Sequence, residues 1–165
     1  MTRMQVSIPD HPALALLPEY PTAEQIEEFG HHLQRLEGTH GMVDIGTTNI
    51  IAHGLLGRVV VIKAGTFLVG LPHKAGHLNV CVGDVVVWTP AGRTRHVGAS
   101  ILPAGPGAAR VGFALEDTTW FTVHRNDTGT EDLATIEDSL VENSERLLTR
   151  RLAQAAQAYH ERRAA

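Results

Sequence analysis

Between residues 42 and 125 the chain is a succession of short β-type runs, each closed by glycine, proline or another turn residue. The runs are "TTNIIAHG", "GRVVVIKAG", "GTFLVGLPH", "HLNVCVGD", "VVVWTPAG", "RHVGASILPAG", "ARVGFALED" and "TTWFTVHR". Strands recurring about every ten residues, with turn residues between them, join their neighbours through short connections. No helix-length periodic segment intervenes, which argues against a parallel α/β sheet, because parallel strands need long crossovers. The pattern predicts eight strands in an antiparallel sandwich or barrel.

The flanks read differently. Pro9, Pro12 and Pro18 interrupt residues 1–20, which are expected to form an irregular arm. A helix then opens in "PTAEQIEEFGHHLQRLEG", with Thr22 as N-cap, Gln25 at the capping-box position and Gly38 as the stop. Ile26, Phe29, Leu33 and Leu36 form its apolar stripe. The adjacent His31 and His32 diverge by about 100° and read as solvent-facing. Residues 131–163 predict an amphipathic C-terminal helix. Leu133, Ile136 and Leu140 begin its stripe, and Leu148, Leu152, Ala155 and Tyr159 resume it after a one-residue shift near Leu147. Such a stripe has to be buried on the barrel or on a partner subunit. The expected division is an arm and helix over 1–45, a barrel over 46–125 and a C-terminal helix over 126–165, together one structural domain.

With 165 residues the chain is long enough to bury a core without staples. A formal net charge of −4 gives no reason to expect nucleic acid or an anionic membrane as partner. The single cysteine, Cys81, excludes an internal disulfide. No run has the roughly 18 apolar residues of a membrane span, and the proline-broken N-terminus does not read as a signal peptide. These features lead to the expectation of a cytoplasmic protein. Ten histidines against 14 lysines and arginines are the compositional oddity.

Two of those histidines sit in "HKAGHLNVCVGD", residues 73–84. Alternation along a strand places His73, Ala75, His77, Asn79 and Cys81 on one face and Leu78, Val80 and Val82 on the other. The expected arrangement has the apolar face packed on a layer and the histidine face lining a cavity. A helical zinc-protease motif is excluded, because Lys74 stands where its glutamate would be and Pro72 and Gly76 disfavour a helix. Two imidazoles need a third ligand from elsewhere. His124 is the best candidate and His53 the second. A β-hairpin turning near Glu116–Thr118 would set His124 roughly opposite Arg110. As plain structure, the same histidines would be barrel-lining groups bonded to carbonyls and water, and Cys81 a small buried apolar group.

The glycine-bounded strands, the "H-x3-H-x5-G" of residues 73–83, and Pro103 with Gly105 resemble the two motifs of the cupin family. Laid on the first motif, Leu71 occupies the first histidine slot, His73 the second, His77 the glutamate slot and Gly83 the glycine. In the second motif Ala108 stands where a histidine is expected, a departure for which His124 could compensate. The stretches "GTFLVGLPHKAGHLNVCVGDVVVWT" and "ARVGFALEDTTWFTVHR" are similar to a divergent cupin-like group of phage and bacterial proteins. The resemblance covers about residues 46–125. It implies a mainly β fold, a double-stranded β-helix barrel (jelly roll) with flanking N- and C-terminal helices.

On that basis one divalent transition metal (Fe, Mn, Ni or Zn) is expected on His73, His77 and His124. Arg110 would orient the anionic group of a small carboxylate-bearing or oxygen-rich molecule. Lyase, isomerase or dioxygenase chemistry would all suit such a site, and a ligand set of three histidines resembles that of thiol dioxygenases. A non-catalytic module binding a small ligand or sugar, or a phage-type structural protein, is the competing expectation. The terminal stripe and the habits of the cupin family further suggest a homodimer.

Overall fold

The structure is a computed structural model describing residues 7–35 and 45–164. Its strands are β1 (Thr47–Ala52), β2 (Leu55–Ile62), β3 (Phe67–Gly70), β4 (His77–Thr89), β5 (Gly92–Ala104), β6 (Arg110–Ala114) and β7 (Thr118–Arg125). They form one antiparallel sheet in the order β1-β2-β7-β4-β6-β3, with β5 paired to β4. The antiparallel sheet curls into a half-barrel, and the fold is mainly β.

Among the described residues seven strands replace the expected eight, because "HLNVCVGD" and "VVVWTPAG" are one continuous strand, β4. Its register with β5 runs unbroken from His77↔Ala104 to Thr89↔Gly92. On the opposite edge, β4 pairs with β7 over Leu78–Val82 and with β6 over Val85–Trp88. The strands β6 and β7 therefore lie end to end along β4 and do not pair as a hairpin. Arg110 is partnered by Gly70 and His124 by Leu56, so the two do not face each other across a turn. Gly83 makes this crossing feasible. It holds φ +149°, and a Cβ there would lie 2.8 Å from Thr118 Cα and 2.9 Å from the Asp117 carbonyl oxygen.

Gly83 also divides the outer face of β4. Beyond it, Val86 and Trp88 are fully buried against Val111 and Phe113 of β6, Leu14 and Leu17 of the arm, and Ile26 of α1 (Ala23–Arg35). Before it, Leu78 and Val82 are exposed. The face expected to pack, Leu78, Val80 and Val82, is thus left uncovered, and the packed part of the strand is the later half. The inner face buries Cys81, Val85 and Val87 with Ile62, Ala114 and Trp120. Helix α1 begins with the expected capping box: Thr22 N donates to Gln25 Oε1 at 2.9 Å and Gln25 N to Thr22 Oγ1 at 3.2 Å. Leu36 and Gly38 lie outside the described residues.

In place of one C-terminal helix there are α2 (Leu133–Leu140), a single 3-10 turn at Ser144–Arg146, and α3 (Leu148–Ala164). The break comes where the apolar stripe slips its register: Val141 is extended and Asn143 takes the left-handed conformation, φ +52°. The first part of the stripe is buried, with Ile136, Leu140 and Val141 packed on Leu56 of β2. The side chains of Leu148, Leu152 and Ala155 lie outside the described residues, and Tyr159 is exposed. Among the described residues no helix is long and apolar enough to cross a membrane.

Candidate metal centre

His77, Asn79 and Cys81 alternate inward along β4 and are all buried. On β7 the inward positions are Trp120, Thr122 and His124. Leu78 pairs with Val123, which sets the flanking His77 and His124 side by side. His73 arrives by another route. Residues 73–76 are not part of β4; His73 is held by a bridge to Val141, and its carbonyl accepts from Gly107 N at 2.8 Å. Lys74 N donates to the Leu140 carbonyl at 2.8 Å, so the end of α2 fastens the histidine loop over the barrel.

The three imidazoles form one cluster. Ring centroids are 4.1 Å apart for His73 and His77, 4.7 Å for His73 and His124, and 4.8 Å for His77 and His124. One nitrogen from each lies within 4.8 Å of the others. Burial, reinforced by the neighbouring His77 and His124, pushes the pKa of His73 down to about 3. Burial likewise takes His124 down to about 4, with His77 and Arg58 adding to the effect. His77 is also lowered, again chiefly by burial. All three rings are therefore neutral at pH 7, the form that binds metals. The Nδ1 atom of His77 lies 3.3 Å from the Ala75 carbonyl. That contact is a hydrogen bond when Nδ1 carries the proton, which leaves the Nε2 lone pair free for a ligand role.

These residues fit a metal ion by donor chemistry, and three histidines could hold one. His73, His77 and His124 would each offer one nitrogen, and loading would draw these nitrogens, now within 4.8 Å of one another, closer together.

Arg110 points inward from β6, on the face opposite Val111 and Phe113, which lie in the arm-covered cluster. Its charge acts on both His73 and His77, and burial lowers its own pKa. Among the described residues it makes no hydrogen bond or ion pair. Below the histidines Asn79 makes three hydrogen bonds. It donates to the Leu102 carbonyl at 3.2 Å and accepts from Trp120 Nε1 and Thr122 Oγ1, both at 3.0 Å. It closes the polar end of the barrel against the apolar end.

The other residues named from the sequence lie apart from this cluster. His53 is exposed at the β1–β2 turn with φ +51°. Cys81 sits in the apolar cluster, where burial raises its thiol pKa, and it is outside the histidine group. Glu116 and Asp117 lie in the connection from β6 to β7, and Asp117 accepts from Lys63 Nζ at 2.6 Å and Ala64 N at 3.0 Å.

Sequence reasoning missed Arg58 and Glu137. Arg58 lies on the inward face of β2 and donates to Asn49 Oδ1 at 2.9 Å and to Glu137 Oε1. Glu137, on α2, also accepts from Arg150 Nε at 3.1 Å. A lone arginine in the run "LLGRVVVI", and a glutamate between Ile136 and Leu140 on an apolar helix face, were the available signals.

No protein-family model matches the chain, and comparison with curated proteins also finds no match. Solved structures do resemble it. The plu4264 protein of Photorhabdus luminescens is 12% identical, with TM-score 0.46, over 57% of this chain and 85% of that one. A cupin 2 domain-containing protein of Halorhodospira halophila is 15% identical, with TM-score 0.46, over 55% and 70%. A Cupin 2 conserved barrel domain protein of Salinispora arenicola is 12% identical, with TM-score 0.44, over 55% and 83%.

Proposed function

We propose that the chain is a metal-binding cupin-like protein in which His73, His77 and His124 hold one divalent transition metal (Fe, Mn, Ni or Zn). The observation carrying this reading is the convergence of three neutral imidazoles, His77 and His124 buried and His73 half-buried, with nitrogens within 4.8 Å, at one end of the barrel. Three protein ligands leave open positions, the arrangement of catalytic centres and not of closed structural ones. Bound there, the metal supplies Lewis-acid polarisation of an oxygen. The chain's own residues define the rest. Arg110, half-buried and without a protein partner among the described residues, is a docking point for a carboxylate, which a guanidinium grips with two parallel hydrogen bonds. The substrate class is thus a small carboxylate-bearing or oxygen-rich molecule, handled in lyase, isomerase or dioxygenase fashion.

A second reading is favoured by the loop fastening at Lys74 and His73. A loop held by the end of α2 suits retention of a small ligand without turnover. The two readings share the cluster and differ in whether metal is bound.

Elemental analysis of untagged wild type and of His73→Ala, His77→Ala and His124→Ala, each after reconstitution with Fe, Mn, Ni and Zn, tests the proposal. About one equivalent in wild type, lost in each variant, is expected. A metal-free wild type after every reconstitution refutes the metal centre and leaves ligand binding at Arg110 as the function to pursue.

A further inference from the structure

His77 and His124 are placed by the sheet itself, on adjoining strands paired through Leu78 and Val123. His73 has no such support. It lies outside the strands, and residues near the end of α2 hold it. Lys74 N donates to the Leu140 carbonyl at 2.8 Å, and Glu142 N to the Pro72 carbonyl at 3.2 Å. Lys74 Nζ donates to the Asp138 carbonyl at 2.8 Å. These bonds flank His73 on both sides and all run to residues 138–142.

The segment that supplies them is conditional. Helix α2 has 8 residues, and a helix shorter than about 12 residues is marginal in water unless tertiary packing supports it. That packing is Ile136, Leu140 and Val141 on Leu56, which is the β2 partner of His124. Glu137 adds its pair with Arg58. Docked, α2 is helical and offers its last carbonyls to the histidine loop. Undocked, it loses both the apolar contact and the reason to stay helical. An element with two discrete arrangements is the kind that carries coupling between sites.

The three imidazoles thus have two sources: two come with the sheet, and the third comes with α2. Resting on the reading of these histidines as a metal site, we infer that the C-terminal segment is a latch that sets the occupancy of that site. Docking of α2 places His73 and completes the ligand set, and occupancy of the site holds α2 docked in return. The return half follows from linkage, because two equilibria that share a group change one another by the same factor. The residues that carry the coupling are Lys74 and Glu142, through their main-chain N–H groups. Lifting α2 weakens the site with no change in the histidines themselves.

Proline at positions 74 and 142 deletes both main-chain donors, and alanine keeps them. Both side chains are exposed, and Val141 already has the extended backbone, φ −124° and ψ 150°, that a residue before proline requires. Zinc affinity is measured by competition with a chromophoric chelator. Lys74→Pro with Glu142→Pro should bind zinc at least about tenfold more weakly than wild type. Lys74→Ala with Glu142→Ala should stay within about threefold. In the metal-free proteins, diethyl pyrocarbonate modification mapped residue by residue reads His73 without zinc. The proline pair should raise the rate at His73 towards that of the exposed His53 and leave His77 and His124 as in wild type. Wild type supplies the reciprocal reading, in which zinc should slow amide hydrogen exchange in α2.

Where wild type binds zinc, equal affinity in the proline pair, or α2 exchange indifferent to zinc, overturns the latch and leaves the metal centre standing. A wild type that takes up no zinc refutes the metal centre; modification of His73 unchanged by the proline pair would then show that α2 does not place that histidine either. Should the proline pair not fold, the exchange measurement on wild type decides by itself.

Discussion

Glu137 joins the closing helix to the barrel wall, and removing it is the most informative single perturbation of the fold near the site. Its carboxylate is 2% exposed and binds Arg58 and Arg150, which are 18% and 26% exposed. Arg150 retains other partners after Glu137→Leu, namely Asp138 Oδ1 and the Ala134 carbonyl, each at 2.6 Å. Arg58 keeps only the neutral Asn49 oxygen among the bonds described. Breaking a buried ion pair by deleting one partner costs about 3–5 kcal/mol, because the remaining charge is stranded. With one of the two arginines still paired, Glu137→Leu should cost about 3 kcal/mol, at the lower end of that range. Replacing both members by apolar groups removes the stranded charge, so Glu137→Leu with Arg58→Met should return to within about 1 kcal/mol of wild type. Urea denaturation of the four proteins of this double-mutant cycle gives the coupling directly. A single variant within about 0.5 kcal/mol of wild type, or a double variant less stable than the single, would refute the reasoning.

Two further outcomes follow from the same structure. The folded pKa values of His73 and His124, about 3 and about 4, lie below the ordinary value near 6.5, so at pH 4–6.5 the unfolded metal-free chain binds more protons than the folded one. Stability should then be unaffected above pH 6.5 and fall below it, by up to about 1.4 kcal/mol per pH unit for each histidine; a thermal midpoint flat from pH 7 to 4.5 would contradict this. At Gly83, valine would drive its Cβ into the Thr118 and Asp117 backbone at 2.8 and 2.9 Å. Together with the unfavourable φ this should cost about 3 kcal/mol or more, seen as a large drop in Tm or as insoluble protein.

What the sequence disclosed was mostly local. The capping box of Thr22 and Gln25 and the inward alternation of His77, Asn79 and Cys81 follow from side-chain spacing, and the structure has both. Gly83-Asp84 misled, because a Gly-Asp pair is a turn signal. Here the glycine bends the strand while its pairing with Gly98 continues. That continuity undid the expected hairpin between β6 and β7, so that Arg110 and His124 are partnered by Gly70 and Leu56 and not by facing positions of one hairpin. His73 reached the cluster through a bridge to Val141, a contact between residues far apart in sequence that no periodicity reveals. Arg58 and Glu137 escaped notice for the same reason: each looks anomalous in its own element and makes sense only when the two elements meet.

The long strand β4 has a consequence for what can be cut away. Its first half carries His77 and its second half carries Val86 and Trp88, whose outer sides are roofed by Leu14, Leu17 and Ile26. A fragment beginning at residue 46 would retain every histidine of the cluster and yet strip that roof, leaving a fully buried tryptophan and its neighbours open to water at the far end of the same strand. The N-terminal arm is therefore as much a part of the histidine-bearing unit as the sheet itself, and trimming the chain to its barrel would not yield a smaller version of the protein.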